Sequence, residues 1–206
     1  MIETKVLAVR YLSSAEPALS KALGTKLPCL GMLTTDCDDA TYIALDEATK
    51  AAQVKVCYSR SFYAGAANAS TPNAGEVIGI LAGATPGAVR SGMEAAVAAL
   101  GRVGFEEVGG VPYLAHTVSS VGSYLAKEAG VRTGSAIAYL IAPPLESLYA
   151  LDAALKAADV KLCKLYSPPS ETNFGGGLLS GTQSACATAC AAFAQAVAEV
   201  ARMPKG

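Results

Sequence analysis

The sequence predicts an α+β chain made of two tandem copies of one unit, each an antiparallel sheet flanked by helices. Two observations carry this. The stretch ALDEATKAAQVKVC, Ala44 to Cys57, returns 106 residues later as ALDAALKAADVKLC, Ala150 to Cys163, with ten of fourteen positions identical. Alanine matches come cheaply in an Ala-rich chain, but the shared Leu, Asp, two Lys, Val and Cys do not, and a repeat of this size sets how everything else is read. The same offset aligns SSAEPALSKALG from Ser13 with SSVGSYLAKEAG from Ser119, through matches at Ser13, Ser14, Leu19, Lys21 and Gly24. After a deletion of eight residues, ILAGATPGAV from Ile80 faces LLSGTQSACA from Leu178.

The elements follow in order. In the first copy DEATKAAQ (46–53) has helix formers with acids at its start, where the helix dipole favours them. VKVCYSRS (54–61) alternates apolar and polar residues, the mark of a strand with one exposed face. FYAGAANASTPNAG (62–75) has no periodicity and reads as a loop, long enough to be functional. EVIGILAGA (76–84) is a near-continuous apolar strand, and TPGAVRSGMEAAVAAL (85–100) opens on a Thr-Pro helix start with Val89, Met93, Ala96, Val97 and Leu100 on one face. The second copy repeats the order: helix 152–159, strand from Val160, loop 168–177, strand at Leu178, helix 182–202. Further strands and a short helix precede each copy, and an antiparallel α+β unit results. The glycines and proline of GFEEVGGVPY (104–113) mark the junction, which divides the chain into domains 1–108 and 109–206.

Composition narrows the function. Net charge is −1 and only 16% of the 206 residues are charged, so there is no basic footprint for nucleic acid. The Ala-rich runs are interrupted by charge or glycine, which argues against a membrane span, and MIETKVLAVR has no apolar signal core. The expectation is a cytoplasmic protein whose six cysteines are reduced, small, buried hydrophobes.

Few residues bear chemistry. Asp36, Asp38 and Asp39 put three carboxylates within four positions, a cluster that repels itself unless a cation or water screens it. The plain alternative for TTDCDDATY is a solvated turn with a helix-capping Asp. His116, the only histidine, sits in an apolar strand-like stretch and is expected to be structural. Cys186 and Cys190 are four apart on the last helix, but the alanines around them point to close packing rather than a metal. No cofactor or metal site is expected. The triple glycine at 175–177 lacks the Lys-Ser/Thr of a phosphate loop.

The pattern A-x-D-x-x-x-K-A-A-x-V, then a strand, a Gly-rich loop, an apolar strand ending in Gly and a helix, occurs twice. It resembles the shell proteins of bacterial microcompartments. The extra strands ahead of each repeat are similar to the circularly permuted tandem members, and DDATYIALDEATK, SFYAGAA, AGEV, GSYL, APPLE and PPSETN resemble those of ethanolamine-utilisation compartments. The resemblance implies two tandem, circularly permuted shell domains and a homotrimer that mimics a hexamer and packs edge to edge with other shell proteins. It implies a structural protein of the compartment shell, not an enzyme. Under it, Lys50 and Lys156 lie on the tile edge. The two loops line a gated central pore for small polar metabolites through Phe62, Tyr63, Gly65, Asn68, Asn73, Thr172, Asn173, Phe174, Gly175 and Gly176. An ethanolamine site is implied at Asp38, Asp39 and Glu76, with Phe105 as a wall. Two alternatives remain: a small-molecule sensor, and a metal-dependent enzyme using Asp36, Asp38 and Asp39.

Overall fold

The computed structural model describes residues 1–62 and 65–205 and divides them into two compact units. The first unit comprises Glu3–Val103 with Gly122–Leu125; the second comprises Met1–Ile2, Gly104–Val121 and the chain from Ala126 onward. The units part at Val103/Gly104, so residues 104–108 lie with the second unit.

In the first unit, strands β1 (Val6–Leu12), β2 (Cys29–Thr35), β3 (Val54–Ser61) and β4 (Val77–Gly83) form an antiparallel sheet of order β1-β2-β4-β3. The short α1 (Pro17–Ala22) joins β1 to β2, and α2 (Asp38–Ala51) and α3 (Pro86–Leu100) pack together. In the second unit, β6 (Val111–Val118), β7 (Ala136–Ala142), β8 (Val160–Tyr166) and β9 (Gly175–Gly181) repeat this order as β6-β7-β9-β8, with β5 (Glu106–Val108) added at the edge. Here α4 (Ser123–Ala129), α5 (Pro144–Ala157) and α6 (Gln183–Arg202) take the places of α1, α2 and α3.

Both central strand pairs are apolar because helices cover them. Every residue of β7 is buried, and α6 lays Cys186, Ala189, Cys190, Phe193, Ala196 and Val197 in one cluster with β7 and β9 residues. That stripe has helical spacing, so burial of roughly 2 kcal/mol per large side chain holds α6 on its sheet. By length and composition α6 is nonetheless apolar enough to cross a membrane, contrary to the expectation from its interruptions. Thr85 and Thr182 cap α3 and α6, accepting from the Ala88 and Ala185 amides at 3.2 and 3.1 Å.

Four local expectations are corrected. Helix α2 starts at Asp38 rather than Asp46 and α5 at Pro144 rather than Asp152; the acids of the first turn and the proline at the helix start are the true N-terminal signals. Val97 is 39% exposed, off the buried face of α3 set by Val89, Met93, Ala96 and Leu100. Strand β9 begins at Gly175, so Gly175 and Gly176 pair with Ala142 and Ile141 instead of belonging to a loop. Cys37, Cys57 and Cys163 are half-buried rather than buried, although all six cysteines are free thiols.

Candidate functional site

Two of the three clustered acids, Asp38 and Asp39, are buried in the first turn of a helix, and only Asp36 stays half-exposed in a bend. Thr35 ends β2, its hydroxyl bridging the Thr41 hydroxyl at 2.6 Å and the Cys37 carbonyl at 3.0 Å, and this buried knot fixes the entry into α2. Cys37 takes the N-cap position without a side-chain cap, leaving Asp38 and Asp39 in the first turn, both buried. Asp38 Oδ1 accepts from the Asp39 amide at 2.8 Å and Oδ2 from the Ser61 hydroxyl at 2.6 Å. Ser61 is bonded in turn to the Tyr42 hydroxyl. Asp36 diverges: its Oδ1 accepts the Lys5 amide at 2.7 Å.

Glu76 arrives from the opposite side, at the head of β4. Its amide donates to the Thr35 carbonyl at 2.8 Å, and its carbonyl accepts the Phe62 amide at 2.8 Å. Gly75 before it has φ +63°, and a Cβ there would meet the Thr35 carbonyl oxygen at 2.1 Å, so glycine is required. The Glu76 carboxyl is hydrogen-bonded to Asp38 and to the Ala66 amide of the 3-10 turn Ala66–Asn68.

The electrostatics follow. Burial first, then the Asp38 charge and the bond to it, push the Glu76 carboxyl up to about 8, against the pull of the Ala66 amide. The Glu76 carboxyl thus keeps its proton near neutral pH and turns it toward Asp38. Burial, joined by Asp39, raises the Cys37 thiol; burial also raises Tyr42, against the pull of its Ser61 bond. Neither is an activated nucleophile, so the arrangement suits reception of a small cation and not covalent catalysis. Among the described residues no three His, Cys, Asp or Glu side chains are placed to hold a metal ion.

The other expected site residues fall elsewhere. Phe105 belongs to the second unit, where its ring meets Phe174 edge-on at 5.5 Å; Asp38, Asp39 and Glu76 belong to the first. In the first loop, Phe62 closes the hairpin on Glu76, Gly65 opens the 3-10 turn, the Asn68 amide bonds Gly65, and the Asn73 carbonyl accepts from Thr34 at 2.5 Å. Tyr63 lies outside the described residues. In the second loop, Ser170 receives the Thr172 and Asn173 amides and itself bonds the Phe174 carbonyl; Asn173 has φ +70°. Lys50 pairs with Glu47, and Lys156 with Asp152 at 2.6 Å, each along its own helix. His116 is half-buried in β6, opposite Tyr139.

Sequence reading missed Ser61, Tyr42, Cys37 and the Ala66 amide. The available signal was register: Ser61 pairs with Val77, directly after Glu76, so the end of β3 had to face the acids.

Residues 29–111 match the family model described as BMC domain. The bacterial microcompartment shell protein EutL of Clostridium perfringens is 56% identical over 212 residues, covering 100% of this chain and 98% of the relative. A monoclinic crystal structure of EutL from that organism matches with TM-score 0.97 at 56% identity, covering 100% of this chain and 96% of that one. The ethanolamine utilization protein EutL from Leptotrichia buccalis gives TM-score 0.96 at 55% identity, covering 100% and 97%. A trimeric bacterial microcompartment shell protein, PduB, shares the fold at TM-score 0.81 with 18% identity, covering 96% and 89%.

Proposed function

Because the chain belongs to the EutL family of bacterial microcompartment shell proteins, we propose that it forms a trimeric, pseudohexameric tile with a metabolite pore and a small ammonium-binding site. Its role is structural rather than enzymatic, and its place is the microcompartment shell in the cytoplasm. The observation that carries the reading is 56% identity to the EutL protein of Clostridium perfringens over 100% of this chain.

The finer parts rest on physics. Two copies per chain under three-fold symmetry make a closed ring of six similar units, and a ring that repeats its edge contacts grows into a layer. Lys50 and Lys156 suit such an edge, since their stems cover apolar surface while the ammonium seeks water or carbonyls. The loops at 62–75 and 168–174 line the pore and offer amides and hydroxyls without fixed charge. Ethanolamine is the ligand we assign to Asp38, Asp39 and Glu76: its ammonium replaces the proton between Asp38 and Glu76, and its hydroxyl suits Ser61. Because that proton leaves, affinity tightens as pH rises.

Light scattering at rising concentration, followed by electron microscopy, tests the tile. Trimers that pass into hexagonally tiled sheets support it, and a chain that stays monomeric at every concentration refutes it. Calorimetric titration with ethanolamine tests the site. The expected result is binding that tightens between pH 6 and 8 and weakens at least tenfold in Asp38→Asn; equal affinity in wild type and variant would discard it.

A further inference from the structure

The acid site is backed by a run of hydroxyls that leads away from the carboxylates. Ser61, the last residue of β3, donates its one hydroxyl hydrogen to Asp38 Oδ2 at 2.6 Å. Its bond with the Tyr42 hydroxyl then runs the other way, with the phenol as donor and Ser61 Oγ as acceptor. Burial raises the Tyr42 phenol far above its ordinary value, so it keeps the hydrogen that it gives. The direction of donation is therefore Tyr42 to Ser61 to Asp38.

Tyr42 is itself braced from behind. Its ring lies 6.3 Å from that of Tyr124, whose hydroxyl is bonded to Ser59 at 2.8 Å. Tyr124 belongs to the segment Gly122–Leu125, which is part of the second repeat in sequence but lies with the first unit. The buried Asp46 carboxylate pins that segment, accepting the Gly122 amide at 2.6 Å and the Leu125 amide at 2.8 Å. The Ser123 amide adds a bond to the Thr49 hydroxyl at 3.0 Å. A Cβ at position 122 would meet Thr49 Oγ1 at 2.3 Å, so the close approach needs glycine.

The repeat indicates that these groups belong together. At the 106-residue offset Asp38 is answered by Pro144, Tyr42 by Leu148, and Tyr124 by Ala18, while Ser61 is answered by Ser167. Glu76, just ahead of β4, is answered by Phe174, just ahead of β9. Where the acids are lost both phenols are lost with them, and a serine alone remains. Helix packing by itself gives no reason for carboxylates and phenols to vanish together.

The consequence is directional. Ser61 Oγ has two lone pairs, of which Tyr42 takes one, and its hydrogen is committed to Asp38. The half-buried Ser61 can therefore accept a further hydrogen bond but has none to give. A ligand with its ammonium between Asp38 and Glu76 is matched by a hydroxyl that donates to Ser61. An alkyl group in that place leaves the acceptor dehydrated and unpaired. Without the Tyr42 hydroxyl, Ser61 turns among its rotamers and the acceptor is no longer aimed.

We propose that Tyr42, braced by Tyr124, is a positioning residue that makes the cation site select amino alcohols over alkylammonium ions of the same size. The inference rests on the ammonium-site reading and says what sets that site's selectivity.

The test is calorimetric titration of the full chain with ethanolamine and with n-propylamine, which carries a methyl group in place of the hydroxyl. Wild type is expected to bind ethanolamine roughly tenfold more tightly or better. Tyr42→Phe, which keeps the ring, and Ser61→Ala are each expected to bring that ratio below about threefold, and Tyr124→Leu to halve it or more. A merely structural defect weakens both amines together and leaves their ratio intact. A wild type that binds both amines equally, or a ratio unchanged in either tyrosine variant, overturns the inference while leaving the ammonium site standing. A wild type that binds neither amine overturns both.

Discussion

Glu76 shows how far the fold can move the charge of one residue. Its carboxyl is raised first by burial and then by Asp38, so in the folded chain it holds a proton that the unfolded chain releases near 4.5. A raised carboxylate contributes stability that is full below its unfolded value and is lost as pH rises through about 8. Glu76→Gln keeps a hydrogen-bond donor toward Asp38 without the ionisation. The expected outcome is a thermal midpoint for wild type that falls between pH 5 and pH 9 relative to the variant, checked by calorimetry across that range; parallel curves would contradict the assignment. At this scale the sequence was half legible. The run TTDCDDATY announced the acids, and Glu76 was named by resemblance, but the shared proton depends on an approach across β2 and β4 that local spacing does not encode. Asp46 was invisible as well. It looks like its exposed counterpart Asp152, yet it is buried with two amides on it.

Among the elements, the helices were legible where their ends carry punctuation. The Thr-Pro pair at 85–86 marked the start of α3, the helix read from 182 matches the start of α6, and each threonine is the cap. Helices α2 and α5 have no side-chain cap, and their starts were read too late. Thr85→Ala and Thr182→Ala each remove one capping bond, so each is expected to lower the free energy of unfolding by about 1 kcal/mol. Urea titration of the two variants checks this, and a loss under a few tenths would mean the caps are idle. Strand β9 was misjudged for a different reason. Three glycines read as a loop, but β9 lies between β7 and β8 and is buried, and there the sheet accepts small residues that the sequence alone marks as breakers.

For the whole molecule, assembly is the property that matters. Lys50 and Lys156 lie in the last turns of α2 and α5, each ion-paired along its own helix, so a charge reversal there tests the edge contacts between tiles. Lys50→Asp with Lys156→Asp is expected to leave the trimer mass unchanged and to abolish extended sheets. Electron microscopy of concentrated protein decides it, and sheets of wild-type order would remove these lysines from the edge.

The sequence by itself determined that the chain is a doubled α+β unit, because repetition and periodicity are properties of residue order. Its motifs also sufficed to place it among microcompartment shell proteins. Tertiary structure alone decided which of two matching segments is docked and which is open, and which carboxyls share a proton. Leu125 and Leu19 hold equivalent places in the repeat, one 1% exposed and the other 44%. The difference lies in what the rest of the fold brings against each, and a linear pattern does not carry that distance.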